Sequence, residues 1–406
     1  MKLPIYMDHH ATTPVDPRVL EVMLPYFTDV FGNASSKNHS YGSDAEHAVE
    51  AARQFCADSI KAQTKEIFFT SGSTEALNLA IKGVATNYRD KGRHIITVAT
   101  EHPAVLDCYD YLSKNGFTTT ILGVNRTAGI DLLKLSEAIR PDTILVSVMA
   151  ANNEVGTVYP LAEIGALCRE RSVLFLTDAT QAIGRFPIDV TAMNIDLLCM
   201  SAHKFYGPKG VGALYIRKKM PRVTIAPLQH GGGHEKGLRS GTLNVPGIVG
   251  LGRALKLSIQ LMKDEMKAIG SLRDFMQNKM LHELPLTLVN GDQEKRLANN
   301  LSITFIGVES QALLLALKDT VAASAGSACS TERVEPSHVL KAMGLEEDLA
   351  FSTVRFSLGR STTEAECKIV VEKCVEEVKR LRTFHPLYNA LAEKYANRIS
   401  AGQLVS

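Results

Sequence analysis

The sequence lacks a strong net charge, because 45 lysine and arginine residues stand against 43 aspartate and glutamate residues, a formal charge of +2 at pH 7. The sequence therefore lacks the excess of basic residues that would indicate a nucleic-acid or membrane-surface partner. Apolar runs of about 18 residues, which a membrane span needs, are also missing. Residues 1–4 lead directly into polar residues, without the apolar core of a signal peptide. We therefore expect a cytoplasmic protein with no nucleic-acid or membrane partner.

Paired cysteine motifs are missing too. The seven cysteines include no Cys-x-x-Cys pair, so no metal site or redox clip is expected. Most of them lie in apolar or helix-like stretches, as Cys199 and Cys367 do, which is typical of buried cysteines in a reducing compartment. Cys329 differs, because it lies in the run of small and polar residues 322–337, which has no helix or strand period before Pro336. This composition predicts a mobile loop.

The remaining composition favours a large core: 45% of the 406 residues are hydrophobic, which suits one large domain and a smaller one. Short apolar runs alternate with longer amphipathic stretches, so we predict an α/β fold with a mostly parallel sheet. An amphipathic stretch from 247 to about 284 predicts a helix that bridges the two domains. We place the large domain at 16–259, and the small α+β domain at 1–15 with 260–406. The predicted strands of the large domain are 66–70, 95–98, 143–148, 173–176, 195–200 and 211–216.

Lys204 is the most informative residue. It follows the apolar run 195–200 in Ser201-Ala202-His203-Lys204, so it should emerge at the carboxyl end of a buried strand, where α/β sheets bind ligands. An amine there can form a Schiff base with an aldehyde. Taken alone, a lysine next to glycines is far more often a solvated surface residue, so the interpretation depends on the other strand ends.

Other strand ends carry the groups that a pyridoxal 5'-phosphate (PLP) site needs. Ser73 and Thr74 open a helix after 66–70, where backbone N–H groups and hydroxyls can bind a phosphate. His102 could stack on a heteroaromatic ring or relay a proton, and Asn153 could bind a cofactor oxygen or a substrate carboxylate. An ordinary helix cap, a structural histidine and an asparagine turn are the alternatives for these residues.

Asp178 and Gln181 complete this set of strand ends. A carboxylate at the end of a buried strand is costly without a cationic partner, and a protonated pyridine nitrogen is such a partner. Gln181 could donate to the hydroxyl of the same ring. Five strand ends with complementary groups favour a PLP site over five independent coincidences. A protonated ring would withdraw electrons from the α-carbon of an amino-acid substrate.

Two further residues indicate the chemistry. Arg355 lies in the strand-like run 353–358, where alternation points it away from Val354 and Phe356, and its guanidinium could bind a carboxylate bidentately. An arginine in a surface ion pair is the alternative. Cys329, on an accessible loop, could act as a nucleophile and carry its product elsewhere, or it could be an incidental exposed cysteine.

Taken together, the motifs of this sequence resemble those of the cysteine desulfurases. The resemblance covers nearly the whole chain. The segment 324–344, with its long loop around Cys329, is similar to the IscS/NifS group rather than to the SufS group, whose cysteine loop is shorter. The motifs that carry the resemblance are Met7-Asp8-His9-His10-Ala11-Thr12-Thr13-Pro14, 70–75, 152–156, 178–181, 201–204 and 239–242.

The resemblance implies a fold-type I PLP-dependent homodimer, whose large domain has a sheet sandwiched by helices. It implies that the enzyme converts L-cysteine to L-alanine, leaves the sulfur as a persulfide on Cys329, and passes it to an iron–sulfur scaffold protein similar to IscU or NifU, or to another acceptor. The resemblance implies that Lys204 forms the Schiff base and that His102 stacks on the ring and acts as an acid or base. It implies that Asp178 pairs with the pyridinium and Gln181 with the ring hydroxyl, and that Asn153 and Arg355 bind the substrate carboxylate. The implied phosphate ligands are Ser73, Thr74, Ser201 and His203, with Thr242 from the other subunit.

Two alternatives stay open at this point. A selenocysteine lyase or another fold-type I enzyme would use the same Lys204, and a non-catalytic scaffold subunit would keep the fold for protein binding. The sequence departs from the family pattern at Thr331-Glu332-Arg333, whose charge could change the reach of the loop or its choice of partner. His9 and His10 receive no role. The amphipathic stretch 385–399 is interpreted as a packed or frayed terminal helix rather than as a docking segment.

Overall fold

The computed structural model describes residues 2–325, 327–330, 333–386 and 388–400. The strands are β1 (Ile5–Tyr6), β2 (Ile67–Thr70), β3 (His94–Val98), β4 (Thr118–Leu122), β5 (Thr143–Ser147), β6 (Leu174–Asp178), β7 (Leu197–Ser201), β8 (Gly212–Ile216), β9 (Thr287–Val289), β10 (Asn300–Phe305), β11 (Val321–Ala322), β12 (Ser324–Ala325), β13 (Ser327–Ser330), β14 (Arg333–Pro336) and β15 (Thr353–Ser357). The helices are α1 (Pro17–Met23), α2 (Pro25–Thr28), α3 (Ser40–Ser59), α4 (Ser73–Asn87), α5 (Pro103–Ser113), α6 (Leu132–Ala138), α7 (Leu161–Glu170), α8 (Val245–Glu283), α9 (Ser310–Leu317), α10 (His338–Ala342), α11 (Glu347–Phe351), α12 (Glu364–Phe384) and α13 (Tyr388–Ser400).

The larger sheet has seven strands in the order β2-β8-β7-β6-β5-β3-β4. Only β8 runs antiparallel to its neighbours, so the other six strands point their carboxyl ends at one edge. The central strands are buried on both faces, as expected for a sheet covered by helices on both sides. One core cluster packs the sheet against α3, α7 and α8, and a second packs it against α4 and α5. The predicted α/β fold with a mostly parallel sheet is confirmed.

Helix α8 connects this sheet to a second one. It is 39 residues long, and it confirms the bridging helix predicted from 247 to about 284. Its first half buries Leu251 and Leu255 in the core of the larger sheet. Its second half buries Met276 and Met280 in a separate core, which belongs to a smaller sheet.

The smaller sheet is antiparallel, in the order β12-β15-β10-β9. Its core includes buried residues of α9 and α12. β1 pairs in parallel with β11, so that Ile5 and Met7 at the start of the chain lie in this same core. The start of the chain thus contributes to the smaller unit.

The segment around Cys329 contains regular structure. β13 and β14 form an antiparallel hairpin in which Cys329 pairs with Val334. The prediction that 322–337 lacks strands is therefore wrong, because small and polar residues can form a backbone ladder without an apolar alternation that would reveal it. The side chain of Cys329, together with Thr331 and Glu332, lies outside the described residues, so the predictions about them stay predictions.

The structure also bears on membranes and metals. Within the ranges described above, no helix combines the length and apolar character that a membrane crossing requires. The same ranges hold no cluster of three or more histidine, cysteine, aspartate or glutamate residues arranged to bind a metal ion.

Candidate active site

The carboxyl ends of β2, β3, β5, β6 and β7 meet at a cavity of about 650 Å³. Thr242 does not line the cavity of its own chain, and the side chain of Cys329 lies outside the described residues. The structure thus brings together nearly all the predicted site residues, although their roles stay predictions. The predicted residues that line the cavity are Ser73, Thr74, His102, Asn153, Asp178, Gln181, Ser201, His203, Lys204 and Arg355.

Lys204 follows β7 on a short 3-10 turn. Its Nζ donates to the backbone oxygens of His10 at 2.6 Å and Ala11 at 2.7 Å. Burial, followed by the positive charges of Arg355 and Arg185, lowers the pKa of Lys204 to about 8. At neutral pH this side chain therefore yields the reactive, unprotonated amine far more readily than an ordinary lysine does.

Asp178 ends β6, and one of its carboxylate oxygens is already bonded. Oδ1 accepts hydrogen bonds from the backbone N–H of Thr180 at 2.9 Å and from the Thr180 hydroxyl. The hydroxyl of Thr180 also lies 2.5 Å from Ser73 Oγ. Among the described residues no bond is made to Oδ2, so this oxygen is left for a cationic N–H in the cavity.

The start of α4 offers an anion site. Its N-cap residue, Gly72, makes no side-chain cap, so the first N–H groups of the helix are left for a ligand. Gly72 has φ +154°, and a Cβ there would lie 3.6 Å from Ser201 Oγ. A Cβ on Gly212 would come within 2.7 Å of Gly72 Cα, so the close packing of this turn on β8 needs glycine at that position. The Thr74 hydroxyl adds a donor at the same place, whereas the Ser73 hydroxyl donates to Thr180, whose own hydrogen goes to Asp178.

Two histidines in the cavity are largely neutral near pH 7. His102 caps α5, and its Nδ1 accepts from the N–H of Ala104 at 3.1 Å, which places the proton of the neutral ring on Nε2. Burial lowers the pKa of His102, and the Asp178 carboxylate partly opposes this shift. Burial and the neighbouring Lys204 lower the pKa of His203 to about 4. His203 therefore contributes hydrogen bonds rather than charge.

Gln181 is oriented by His10, a residue to which the sequence analysis assigned no role. Gln181 Oε1 lies 2.8 Å from His10 Nδ1, and Gln181 Nε2 donates to the His10 backbone oxygen at 2.9 Å. The same backbone oxygen accepts from Lys204. An amide nitrogen carries two hydrogens, so one N–H of Gln181 is left for a ligand.

Arg355 lies on β15 and points away from the buried Val354 and Phe356, as its alternation predicts. Its NH1 donates to the backbone oxygen of Asn153 at 3.0 Å, and its NH2 pairs with Asp8 Oδ1 at 2.8 Å. Among the described residues its buried Nε has no hydrogen-bond partner. Arg355 lines the cavity, so its guanidinium could pair with a carboxylate there, with Asp8 as the competing anion at NH2.

Sequence reasoning missed three further residues beside the site, of which Glu101 is buried. Arg185 donates to the backbone oxygen of Lys204 at 3.2 Å. Glu101 accepts from the N–H of Met149, and burial, followed by the nearby Asp178 carboxylate, raises its pKa well above the usual range. Thr180 links Asp178 to the start of α4. Glu101 and Thr180 lie next to predicted residues in the chain, which is a usable signal, whereas no local pattern marks Arg185.

Comparison with known proteins agrees with this architecture. The sequence model of the aminotransferase class-V family matches residues 5–370. Cysteine desulfurase IscS of Anaeromyxobacter dehalogenans (strain 2CP-C) is 54% identical over 393 residues, which cover 97% of each chain. A solved NifS-like protein has a TM-score of 0.86 at 37% identity, over 93% of this chain and 100% of its own. SspA in complex with cysteine has a TM-score of 0.78 at 38% identity, over 87% of this chain and 98% of its own. The chain therefore belongs to the aminotransferase class-V family and, within it, to the cysteine desulfurases of the IscS/NifS group.

Proposed function

We propose that this cysteine desulfurase uses PLP to convert L-cysteine to L-alanine and that Cys329 receives the sulfur as a persulfide. In this reaction the Cβ–S bond of the substrate breaks and an S–S bond to Cys329 forms, while protons complete the methyl group of alanine. Cysteine plus a protein thiol gives alanine plus a persulfide, so no external oxidant or reductant is needed. The observation that carries the proposal is the cavity in which Lys204, Asp178, His102 and the start of α4 meet.

The donor set of the cavity fits PLP. The start of α4, with Ser73, Thr74, Ser201 and His203, would hold the phosphate. Asp178 Oδ2 would accept from the pyridinium N–H, and the remaining N–H of Gln181 would donate to the ring hydroxyl. The Lys204 amine is available for covalent attachment of the aldehyde. When bound, PLP supplies an electron sink for the substrate α-carbon.

The protein's own groups would move the protons. With its pKa lowered to about 8, Lys204 can accept the α-proton of the substrate near neutral pH and return it. The backbone oxygens of His10 and Ala11 hold its Nζ in place for both steps. His102, with its proton on Nε2, would cover one face of the ring and act as a second acid or base.

Recognition of cysteine would fall to Arg355 and Asn153. The guanidinium of Arg355 would pair with the substrate carboxylate, and Asn153 lines the cavity next to it. Charge-assisted bonds of this kind are stronger than neutral ones, so they would fix the α-carbon over Lys204. The similarity to SspA, which was solved with cysteine bound, supports cysteine as the substrate.

The assembly and the domain division belong to the same proposal. In a homodimer, Thr242 would reach the phosphate bound in the partner subunit, and its absence from the cavity of its own chain supports this. The large domain would comprise 16–259 and the small domain 1–15 with 260–406, a division supported by the packing of Ile5 and Met7 in the smaller core. The persulfide would then pass to an IscU- or NifU-like scaffold, or to another sulfur acceptor, in the cytoplasm.

Two variants test the proposal. Lys204→Ala should lose the covalent attachment of PLP, while Lys209→Ala, which removes the other lysine lining the cavity, should keep it. Cys329→Ser should bind PLP with the wild-type visible absorbance but should not release alanine from L-cysteine. Unimpaired alanine release by Cys329→Ser would instead identify a lyase that needs no protein persulfide. A colourless protein after addition of PLP would favour a non-catalytic subunit.

A further inference from the structure

Helix α10 begins directly after the hairpin that carries Cys329, and its N-cap, Ser337, is tied to the larger unit. The Ser337 hydroxyl accepts from the N–H groups of Val339 at 3.0 Å and Leu340 at 3.2 Å, and it donates to Glu154 Oε2. Ser337 is only 3% exposed. The hydroxyl thus caps α10 and binds a carboxylate of the larger unit at the same time.

His338 makes a second connection. Its Nε2 lies 2.9 Å from the backbone oxygen of Glu101. A carbonyl oxygen only accepts, so Nε2 is the donor in this bond. Glu101 directly precedes His102 in the chain, and Glu154 directly follows Asn153. The two contacts therefore reach the segments that carry the proposed ring-stacking residue and a proposed ligand of the substrate carboxylate.

The receiving side of these contacts is itself braced. Asn152 Oδ1 accepts from the N–H groups of Glu154 at 2.8 Å and Val155 at 2.9 Å, and Asn300 Nδ2 donates to the backbone oxygen of Glu154 at 3.1 Å. Buried apolar residues of α10 pack against Val155 in a small core. Glu154 is therefore a fixed partner for Ser337 rather than a mobile surface carboxylate.

The other end of the Cys329 segment is also fixed to the site. β12, which precedes the hairpin, pairs with β15 so that Ser324 lies opposite Arg355. The described chain is thus fixed on both sides of the hairpin, at β12 before it and at α10 after it. Each end is bonded to a segment that contributes a residue to the cavity.

We propose that Glu154, Ser337 and His338, together called the α10 anchor, are positioning residues that register the Cys329 hairpin to the cavity. This inference rests on the proposed role of Cys329. The α10 anchor acts on the transfer of sulfur to Cys329 and not on the binding of cysteine, because none of its three side chains lines the cavity. Displacing a reacting group by about 1 Å can cost about 100-fold in rate, so even a partial loss of register is measurable.

The test separates the two steps in the PLP-loaded enzyme. Stopped-flow absorbance of the bound PLP reports the binding of L-cysteine, and rapid-quench mass spectrometry reports the appearance of sulfur on Cys329. Glu154→Ala should slow sulfur transfer by about 10-fold or more, with the absorbance change on cysteine binding unaltered. Glu154→Gln keeps an acceptor for the Ser337 hydroxyl and should stay within about threefold of wild type, since the geometry is retained. His338→Ala should behave as Glu154→Ala does.

A control variant and the outcomes that would overturn the inference complete the test. Glu170→Ala, on α7, removes a carboxylate of the same kind away from α10 and should change neither step. Equal slowing of both steps by Glu154→Ala would show that Glu154 supports the cavity as a whole, which overturns the inference. Unchanged sulfur transfer in both Glu154→Ala and His338→Ala would overturn it too. Absence of sulfur on Cys329 in the wild type would instead refute the proposed function. Should Glu154→Ala fail to fold, the comparison of His338→Ala with wild type decides in the same way.

Discussion

Replacing Lys204 with methionine should change how the stability of the cofactor-free protein depends on pH. Methionine is similar in length and carries no charge. Burial of the Lys204 ammonium lowers its pKa from 10.5 to about 8 in the folded protein, whereas the unfolded chain keeps the ordinary value. Between these two values the unfolded state binds more protons than the folded state. The free energy of unfolding of the wild type should therefore rise with pH across this window, relative to the methionine variant.

The size of the effect follows from linkage. A shift from 10.5 to about 8 changes the relative free energy of unfolding by about 2.5 kcal/mol between pH 7 and pH 10. Solvent at the open side of the cavity screens part of the interaction, so we expect a change of about 2 kcal/mol in the relative free energy of unfolding. Other lysines and tyrosines titrate in this range as well, but they are the same in both proteins and cancel in the difference.

The assay is urea unfolding of both proteins, stripped of PLP, at several values between pH 7 and pH 10. Lys209→Met is the matched control, because it removes an exposed lysine at the same cavity and should leave the pH dependence unchanged. If the stability difference between wild type and Lys204→Met is constant across the range, the pKa of Lys204 is not lowered and the reasoning about its environment is refuted.

Three further substitutions follow from particular contacts. Glu235, with 2% of its side chain exposed, accepts two bonds from the Arg53 guanidinium and one from the N–H of Phe69. Glu235→Gln should therefore lower the free energy of unfolding, measured by denaturant titration, by about 3 kcal/mol. A loss under about 1 kcal/mol would contradict this. A Cβ on Gly212 would lie 2.6 Å from the Met200 backbone oxygen, so Gly212→Ala should release PLP faster on dialysis, while Gly123→Ala, whose Cβ meets nothing within 4 Å, should not. Thr180→Val removes the hydroxyl that joins Asp178 to Ser73 and should weaken PLP binding by about 10-fold, a loss of about 1.4 kcal/mol. Thr180→Ser keeps the hydroxyl and should bind PLP with the wild-type affinity. Equal affinity of the two variants for PLP would exclude the hydroxyl as the cause.

The large sheet could be predicted from the sequence because its central strands are buried on both faces. Such strands appear as short apolar runs, and the polar residue that ends each run marks the cavity edge, as Asp178 and Ser201 do. The edge strand β4 escaped prediction because Thr118–Leu122 is only partly buried and shows no apolar run. The hairpin at Cys329 was not predicted for a related reason, since its backbone hydrogen bonds form between small and polar residues that show no apolar alternation.

The candidate site could be predicted wherever its residues follow a strand in the chain. It could not be predicted where two distant segments meet. Asp8 reaches Arg355 across 347 positions, and His10 reaches Gln181 across 171. The segment that makes these contacts is placed by the pairing of β1 with β11 and by the bridge between Asp8 and Ser357, and local sequence encodes neither of them. The same holds for the contact of Ser337 with Glu154.

Mass spectrometry of the purified protein after incubation with L-cysteine tests most directly whether Cys329 is the residue that receives the sulfur. The wild type should gain the mass of one sulfur atom on the peptide that contains Cys329, and Lys204→Ala and Cys329→Ser should gain none. Alanine release with an unmodified Cys329 peptide, or added sulfur on another cysteine peptide in its place, would contradict the proposed reaction.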